Sequence, residues 1–197
     1  MPPLCGYNDF IRKYIMIKLY DGRPDDTASR ENREVRVYDY LDSLGIGYTE
    51  ADHEPAMTME DCIAVDEALD VVMCKNLFLC NRQKTSFYLL LIPGDKPFRT
   101  KEFSAALGIS RVSFADENAM EELLGVRPGA VTVMGLMNDL DRDVQLVIDR
   151  DVVKNEYIGC HPCVNTSSIK VKTADVLEKF LPATGHSPFF IELKGEE

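Results

Sequence analysis

The densest group of reactive side chains lies at residues 159–166, which read Gly-Cys-His-Pro-Cys-Val-Asn-Thr. Cys160 and Cys163 are separated by two residues, one of them His161, and this spacing invites a metal or redox interpretation. Structural zinc requires four ligands, and the sequence has no second close cysteine pair. A redox pair usually lies at a helix N-terminus, whereas Pro162 sits between strand-like runs. His161 then either positions a substrate or donates a hydrogen bond, or it is a purely structural histidine, which is the more common role of a lone histidine.

A lysine at a strand end and a glycine-containing turn are further candidates. Lys75 and Asn76 directly precede the apolar run 77–79. Because an ammonium group is costly to bury alone, Lys75 predicts either a phosphate or carboxylate contact, or a head group that reaches water from the strand edge. Gly129 lies in the segment 125–132, where it allows close backbone approach. This segment is either a simple turn or a loop that aims amide N–H groups at an anion or a developing oxyanion.

The motifs of several common enzyme classes are missing. The sequence contains no GxSxG elbow, no GxxxxGK[ST] loop and no GxGxxG fingerprint. A serine nucleophile, nucleotide-triphosphate chemistry and nicotinamide chemistry therefore lose support. One histidine precedes a predicted helix start: Thr58 is followed by a carboxylate three positions later, which is typical of a capping box. The turn between them either presents the His53 imidazole beside a helix N-terminus or is simply solvated.

The elements that must position these residues follow from hydrophobic spacing and turn residues. Helices are predicted at residues 31–44, from Thr58 onward, and at 100–107, 116–124 and 173–180. Strands are predicted at residues 76–80 and 85–92, which form a hairpin, and at 130–134, 144–148, 157–160, 168–171 and 189–191. The predicted fold class is α+β, with a mixed, largely antiparallel β-sheet partly covered by helices.

Length and charge limit the organisation and the partners. A chain of 197 residues fits one domain, predicted to span 29–197 after a loosely ordered lead-in at 1–28. The formal net charge of -11 argues against a general binder of nucleic acid or anionic membrane, so a polyanion must be met at a local basic spot. No apolar run approaches the roughly 20 residues of a membrane span. The six cysteines are interpreted as reduced thiols. These features predict a cytoplasmic protein with neither a DNA nor a membrane partner.

Five motifs in series resemble the YbaK and prolyl-tRNA synthetase-associated editing domains. In chain order they are residues 52–55 with Thr58, 74–79, 88–96, 124–132, and 159–162 with Asn165 and Thr166. Their order and spacing match over residues 29–193, and the chain is most similar to the freestanding alanyl-tRNA(Pro) deacylases. The resemblance implies a mixed-sheet fold and the hydrolysis of alanine wrongly esterified to tRNA(Pro), without a cofactor or a bound metal.

The resemblance also implies roles for individual residues. Lys75 would contact the phosphate-bearing 3′ end, and with Gly129 and His161 it forms the expected catalytic group. Asn76 and His161 would help to hold the aminoacyl-adenosine, while the loop around Gly129 would hold the aminoacyl moiety through backbone groups. The other expected substrate-binding residues are His53, Thr58, Ala130, Val131, Thr132, Val133, Asn165 and Thr166.

The implied chemistry needs little from the protein. An aminoacyl ester is already activated, and the neighbouring ribose hydroxyl can assist an attacking water, so orientation and oxyanion stabilisation suffice. A site built for proline cannot strongly exclude the smaller alanine, which makes a second, smaller sieve necessary. Family loops commonly carry proline four residues after the glycine, where this chain has Val133. Cysteine or serine therefore remain alternative amino acids.

The expected partners are the acceptor end of tRNA(Pro) and prolyl-tRNA synthetase, while the oligomeric state is left open. A basic patch for the RNA is expected around the hairpin, formed by Lys75, Arg82, Lys84, Lys96, Arg99 and Lys101. Ordinary solvated charge is the alternative for the last five. Two other function classes also stay open: a non-catalytic module that binds the tRNA 3′ end, and a metal or thiol protein that uses Cys160 and Cys163.

Overall fold

Two β-sheets form the centre of the protein. The computed structural model describes residues 17–55 and 59–195, with the backbone alone at 59–62. The described strands are β1 (Lys18–Asp21), β2 (Tyr48–Asp52), β3 (Cys74–Cys80), β4 (Phe87–Pro93), β5 (Ser113–Phe114), β6 (Val144–Asp149), β7 (Tyr157–Cys160), β8 (Ser167–Lys172) and β9 (Phe189–Ile191). One sheet has the order β1-β2-β8-β7 and is antiparallel throughout. The other has the order β5-β3-β4-β6-β9, in which β4–β6 and β6–β9 are the parallel pairs.

The helices connect these strands and cover them in part. They are α1 (Asn32–Ser43), α2 (Met59–Leu69), α3 (Thr100–Leu107), α4 (Glu117–Ala119, continued by a π-helix at Met120–Leu124), α5 (Thr173–Asp175, continued by a π-helix at Val176–Phe180) and α6 (Leu181–Thr184). Short 3-10 helices lie at Thr27–Ser29, Val133–Asn138 and Val152–Lys154. No helix in the described ranges is long and apolar enough to cross a bilayer.

The predicted fold class is confirmed, and α1 shows how local sequence patterns predicted its elements. Its helically spaced apolar residues Val37, Tyr38 and Leu41 are all fully buried in the main hydrophobic cluster. The helix stops before Gly45, whose φ of 61° is the left-handed conformation that ends many helices. The apolar spacing and the terminal glycine were both visible in the sequence.

The strands divide between two sheets, where the sequence indicated one. The sheets meet at an isolated parallel bridge between Met73 and Gly159. Glycine suits this close approach, because a Cβ atom there would lie 2.5 Å from Sδ and 3.2 Å from Cα of Met73. The first sheet also includes β1, which falls inside the expected lead-in 1–28. Residues 1–16 lie outside the described residues, so the division at residue 29 stays a prediction.

The predicted strand at 130–134 is wrong. This segment forms a turn that leads into the 3-10 helix Val133–Asn138. The Thr132 hydroxyl oxygen accepts a hydrogen bond from the Met134 amide at 3.2 Å, which is a helix-capping contact. The Val133 amide, which a strand would have given to a neighbouring strand, donates to the side chain of Asn76 at 2.9 Å. A β-branched run has therefore been turned into a loop by side-chain hydrogen bonds.

Strand β3 lies between the two main hydrophobic clusters and separates the residues of interest. Phe78 and Cys80 pack in the larger cluster, while Leu77 and Leu79 pack in the cluster under α3. Because side chains alternate along a strand, Asn76 points with Phe78 toward the larger cluster. Lys75 points with Leu77 to the opposite face of the sheet.

Candidate functional site

Asn76 fixes the turn at residues 127–133 onto β3. Its side-chain oxygen accepts the hydrogen bond from the Val133 amide, and its side-chain nitrogen donates to the carbonyl of Cys74 at 3.0 Å. Val133 is fully buried, so its amide has no access to water as an alternative partner. The oxygen of Asn76 thus holds the backbone of the turn, while the nitrogen fixes the Asn76 side chain on β3.

The same turn carries backbone donors without acceptors. Gly129 has a φ of 85°, and the Ala130 amide donates to the carbonyl of Arg127 at 3.0 Å. Within the described ranges, the amides of Val131 and Thr132 donate to no acceptor. Thr132 is fully buried, and leaving a buried donor unpaired costs about 1–3 kcal/mol. Such donors suit an oxygen that arrives with a ligand.

The segment 159–166 packs against this turn. A Cβ atom at Gly129 would lie 3.4 Å from Nδ2 of Asn165, and the Thr132 hydroxyl lies within hydrogen-bonding reach of the Cys160 thiol. Asn165 is half-buried and Thr166 is exposed. The structure therefore brings together two segments that the sequence marked separately.

His161 presents one imidazole nitrogen as a hydrogen-bond acceptor. Its Nδ1 atom donates to the carbonyl of Ser167 at 2.9 Å, so this nitrogen carries the proton. Burial lowers the pKa of His161, which keeps the ring neutral at pH 7. The Nε2 atom then bears a lone pair, and no described residue donates to it. The ring is suited to accept a hydrogen bond from a hydroxyl group or a water.

A second histidine supports the first through a serine. His53 is buried, and its Nδ1 atom donates to the carbonyl of Glu54 at 2.8 Å. Its Nε2 atom is 2.9 Å from the hydroxyl of Ser168, which in turn lies 3.3 Å from Nδ1 of His161. The two rings are 6.2 Å apart. This chain of hydrogen bonds fixes the tautomers and the orientation of both rings.

Lys75 does not face this group of residues. Its ammonium donates to the carbonyl of Lys96 at 3.0 Å, on the opposite face of β3 from Asn76. Within the described part of the chain, Lys75 makes no ion pair with a carboxylate. The half-buried lysine is therefore a cation without an acidic partner there. Thr58, another expected site residue, lies outside the described residues.

A charged network lies beside the histidines, and no prediction from the sequence included it. The Arg30 guanidinium contacts both carboxylate oxygens of Asp52 at 2.7 Å and one oxygen of Glu34 at 2.7 Å. Glu34 also accepts hydrogen bonds from the hydroxyls of Tyr38 and Ser167. The spacing of Arg30 and Glu34, four residues apart at the start of a helix, was the signal in the sequence.

Glu50 is the unusual member of this network. It is fully buried, and neither of its carboxylate oxygens has a hydrogen-bond partner in the structure. Burial raises the pKa of Glu50 to about 9, and the nearby charge of Asp52 adds to the shift. Oxygen atoms of Glu34, Glu50 and Asp52 lie within 4.8 Å of one another, with Arg30 among them as the counter-charge. A cleft of about 400 Å³ opens beside this network and is bordered by His53 and Thr166, among others.

The cysteines near the site are free thiols, of which Cys160 and Cys163 are buried and Cys74 is half-buried. Burial raises the pKa of Cys74 and of Cys163 to about 12, and it also raises the pKa of Cys160. A thiol in this state supplies almost no thiolate at neutral pH. The structure thus disfavours thiol chemistry at Cys160 and Cys163.

Sequence comparison identifies the family to which this protein belongs. Residues 53–179 match the Aminoacyl-tRNA editing domain. The chain belongs to this family. It is 32% identical over 154 residues to the Prolyl-tRNA editing protein ProX of Acetoanaerobium sticklandii. This alignment covers 78% of this chain and 93% of ProX. It is 33% identical over 155 residues to the Prolyl-tRNA synthetase associated domain-containing protein 1 of Danio rerio, which covers 78% of this chain and 83% of that protein.

Solved structures share the fold of this editing domain at lower sequence identity. The hypothetical protein APE2540 aligns with a TM-score of 0.60 and 19% identity over 80% of this chain and 98% of that one. A protein described as a candidate trans-editing enzyme for prolyl tRNA synthetase aligns with a TM-score of 0.60 and 15% identity over 84% of this chain and 99% of that one. These alignments show a common architecture.

Proposed function

We propose that this editing-domain protein is a trans-editing hydrolase that releases alanine from mischarged Ala-tRNA(Pro). The Prolyl-tRNA editing protein ProX aligns with this chain over 93% of its own length, and its name supports the same substrate class here. The observation that carries the proposal is the turn anchored by Asn76, whose Val131 and Thr132 amides lack acceptors within the described ranges. Fixed, unpaired N–H groups are what the oxyanion of ester hydrolysis requires.

The reaction needs no covalent protein nucleophile. In our proposal the ester carbonyl oxygen accepts hydrogen bonds from the amides of Val131 and Thr132. A water attacks the carbonyl carbon, assisted by the free hydroxyl of the terminal ribose. The bond between the carbonyl carbon and the esterified ribose oxygen then breaks, the ribose oxygen takes up a proton from the attacking water, and free alanine leaves. His161 accepts a hydrogen bond at Nε2 from that hydroxyl or from the water, and Ser168 and His53 hold the ring in place. Catalysis then comes mainly from orientation and from preorganised dipoles.

We propose that the amino-acid side chain of the substrate packs against the turn at 127–133. Ala130 and Val133 are buried and Val131 is half-buried, so the turn offers little room for side-chain movement. A pocket that fits a methyl group excludes a pyrrolidine ring by overlap, and steric exclusion is stronger than the discrimination available in the opposite direction. Correctly charged Pro-tRNA(Pro) is thereby spared.

Lys75 contributes from the other face of β3 in this proposal. A half-buried ammonium without a described acidic partner is suited to bind a phosphate of the tRNA 3′ end. The physiological partner is therefore the acceptor end of tRNA(Pro), and prolyl-tRNA synthetase is the enzyme whose errors would be corrected. Lys75 positions the RNA, and the chemistry takes place at the turn and at His161.

A second candidate changes the amino acid and keeps the reaction. Val133 stands where family loops commonly have proline, and valine does not restrict its own φ as proline does. A less constrained wall could admit the side chain of cysteine or serine. Deacylation of Cys-tRNA or Ser-tRNA in preference to Ala-tRNA(Pro) would establish this alternative.

The test separates hydrolysis from binding. Purified protein is incubated with tRNA(Pro) charged with alanine, cysteine, serine or proline, and release of the amino acid is followed together with binding of uncharged tRNA(Pro). The proposal predicts rapid release of alanine, slow release of proline, and a loss of about 100-fold or more in His161→Ala. Binding without release of any amino acid would replace the enzyme with a non-catalytic 3′-end module.

A further inference from the structure

A groove of about 700 Å³ lies on the α3 face of the second sheet, away from the turn and the histidines. Two phenylalanines form its apolar part. The Phe114 side chain is 59% exposed, and its ring meets that of Phe98 edge-to-face with centroids 6.1 Å apart. Phe98 packs in the same way on the buried ring of Phe103. Phe114 is therefore a fixed aromatic surface that faces solvent.

The groove is locally basic although the protein is acidic. Lys101 and Arg111 line it, both are exposed, and neither makes an ion pair with a described residue. The acidic lining residue Glu102 is already engaged, because its carboxylate accepts hydrogen bonds from the backbone amides of Lys194 and Gly195. The groove thus presents two cations without a described acidic partner beside an exposed aromatic ring, although the net charge of the chain is -11.

The groove shares a face of the sheet with Lys75. Phe114 on β5 pairs with Leu79 on β3, so its side chain lies on the same side as those of Leu79, Leu77 and Lys75. Lys75 and Leu79 are four positions apart, which corresponds to a distance of about 13 Å along an extended strand. The paired register of β5 with β3 is limited to Leu79 and Cys80, so the strand near Lys75 is not covered by β5. This leaves the β3 edge between the groove and Lys75 without a described neighbouring strand of its own sheet.

We propose that the groove binds the single-stranded 3′ segment of the tRNA acceptor arm. A base of this segment stacks on Phe114, and its phosphates contact Lys101 and Arg111. The chain then passes Lys75 and carries the aminoacyl group over β3 to the turn at 127–133. Stacking on an exposed ring flanked by cations is how single strands are held without sequence readout. This inference rests on the proposed function, because it names the surface that delivers the substrate of that site.

The experiment measures RNA binding and catalysis separately. The variants Phe114→Ala and Lys101→Ala/Arg111→Ala are compared with the wild type for binding of uncharged tRNA(Pro) by fluorescence anisotropy, and for kcat and KM with Ala-tRNA(Pro). We expect about tenfold weaker binding and a correspondingly higher KM in Phe114→Ala, with kcat unchanged. The double variant should also reduce the slope of log Kd against log salt by about 1.4, the value for two single-strand phosphate contacts.

Matched variants exclude general damage. Phe189→Ala removes an equally exposed phenylalanine from β9, at the other edge of the sheet, and should bind tRNA as the wild type does. Phe114→Tyr keeps an aromatic face and should restore binding. Wild-type affinity and salt dependence in both groove variants would overturn the inference, even if hydrolysis is normal. Weakened RNA binding in a protein that hydrolyses no aminoacyl-tRNA would instead leave the groove standing and remove the proposed function.

Discussion

Removal of the Asn76 side chain tests the anchor of the turn. Asn76→Ala deletes the acceptor of the Val133 amide and the donor to the Cys74 carbonyl. Because Val133 is fully buried, its amide gains no water, and an unpaired buried donor costs about 1–3 kcal/mol. For a domain of this size each kcal/mol lowers Tm by about 2–4 °C. We therefore expect Tm to fall by about 2–12 °C.

The same substitution should lower the rate more than the stability alone suggests. Once the Val133 amide is released, the neighbouring Val131 and Thr132 donors lose their fixed direction, and a displacement of about 1 Å is enough to cost about 100-fold in rate. Single-turnover deacylation of Ala-tRNA(Pro) at a temperature well below the new Tm measures this effect. Asn76→Asp keeps an acceptor for the Val133 amide and should retain more of the stability.

A second asparagine provides the control. Asn81 accepts hydrogen bonds from the backbone amides of Thr85 and Ser86 in the turn between β3 and β4, far along the strand from the site. Asn81→Ala should lose less stability, because the released amides can reach water, and should keep the wild-type rate. Equal deacylation rates for Asn76→Ala and Asn81→Ala would contradict the prediction, because the turn would then be positioned by something other than Asn76.

Three further predictions concern charge, backbone and pH. The pKa of Glu50 is raised to about 9, so the folded state keeps a proton that the unfolded chain releases above about pH 4.5, and the free energy of unfolding falls as pH rises between these values. In urea unfolding from about pH 5 to 9, the stability of Glu50→Gln relative to the wild type should rise by up to about 1.4 kcal/mol per pH unit. A stability difference that does not change with pH would contradict this. Gly129→Ala should cut deacylation at least tenfold, because its φ of 85° disfavours a side chain and a Cβ would crowd Asn165, whereas Gly45→Ala carries similar backbone strain and should leave the rate intact. Because burial lowers the pKa of His161, the acidic decline of kcat should have its midpoint below the ordinary histidine value of about 6.5; a midpoint above pH 7 would argue against a neutral acceptor.

Much of the scaffold was predictable because local rules determine it. The apolar spacing and Gly45 predicted α1, and the Asp116 cap at the start of α4 forms as expected, with its carboxylate accepting from the Ala119 amide. The hairpin of β3 and β4 was predictable as two apolar runs around a polar turn. The division of the strands into two sheets depends on contacts between distant segments, which no local pattern reveals.

The candidate site was less predictable from the sequence than the scaffold. The run 130–134 has the composition of a strand, yet Asn76 and Thr132 take its backbone amides and make it a loop. Lys75 and Asn76 were assigned to one site although adjacent residues of a strand point to opposite faces, a rule that could have been applied in advance. The pairing of Arg30 with Asp52, 22 residues apart, depends on the packing of α1 against β2 and was not predictable from spacing.

The most direct test of the proposed function is the ratio of two single-turnover rates, those for release of alanine and of proline from tRNA(Pro) by the wild-type protein. We expect alanine to leave at least 100-fold faster than proline if, as proposed, the site at the turn 127–133 takes a methyl group and excludes a pyrrolidine ring. Equal rates, or faster loss of proline, would contradict it.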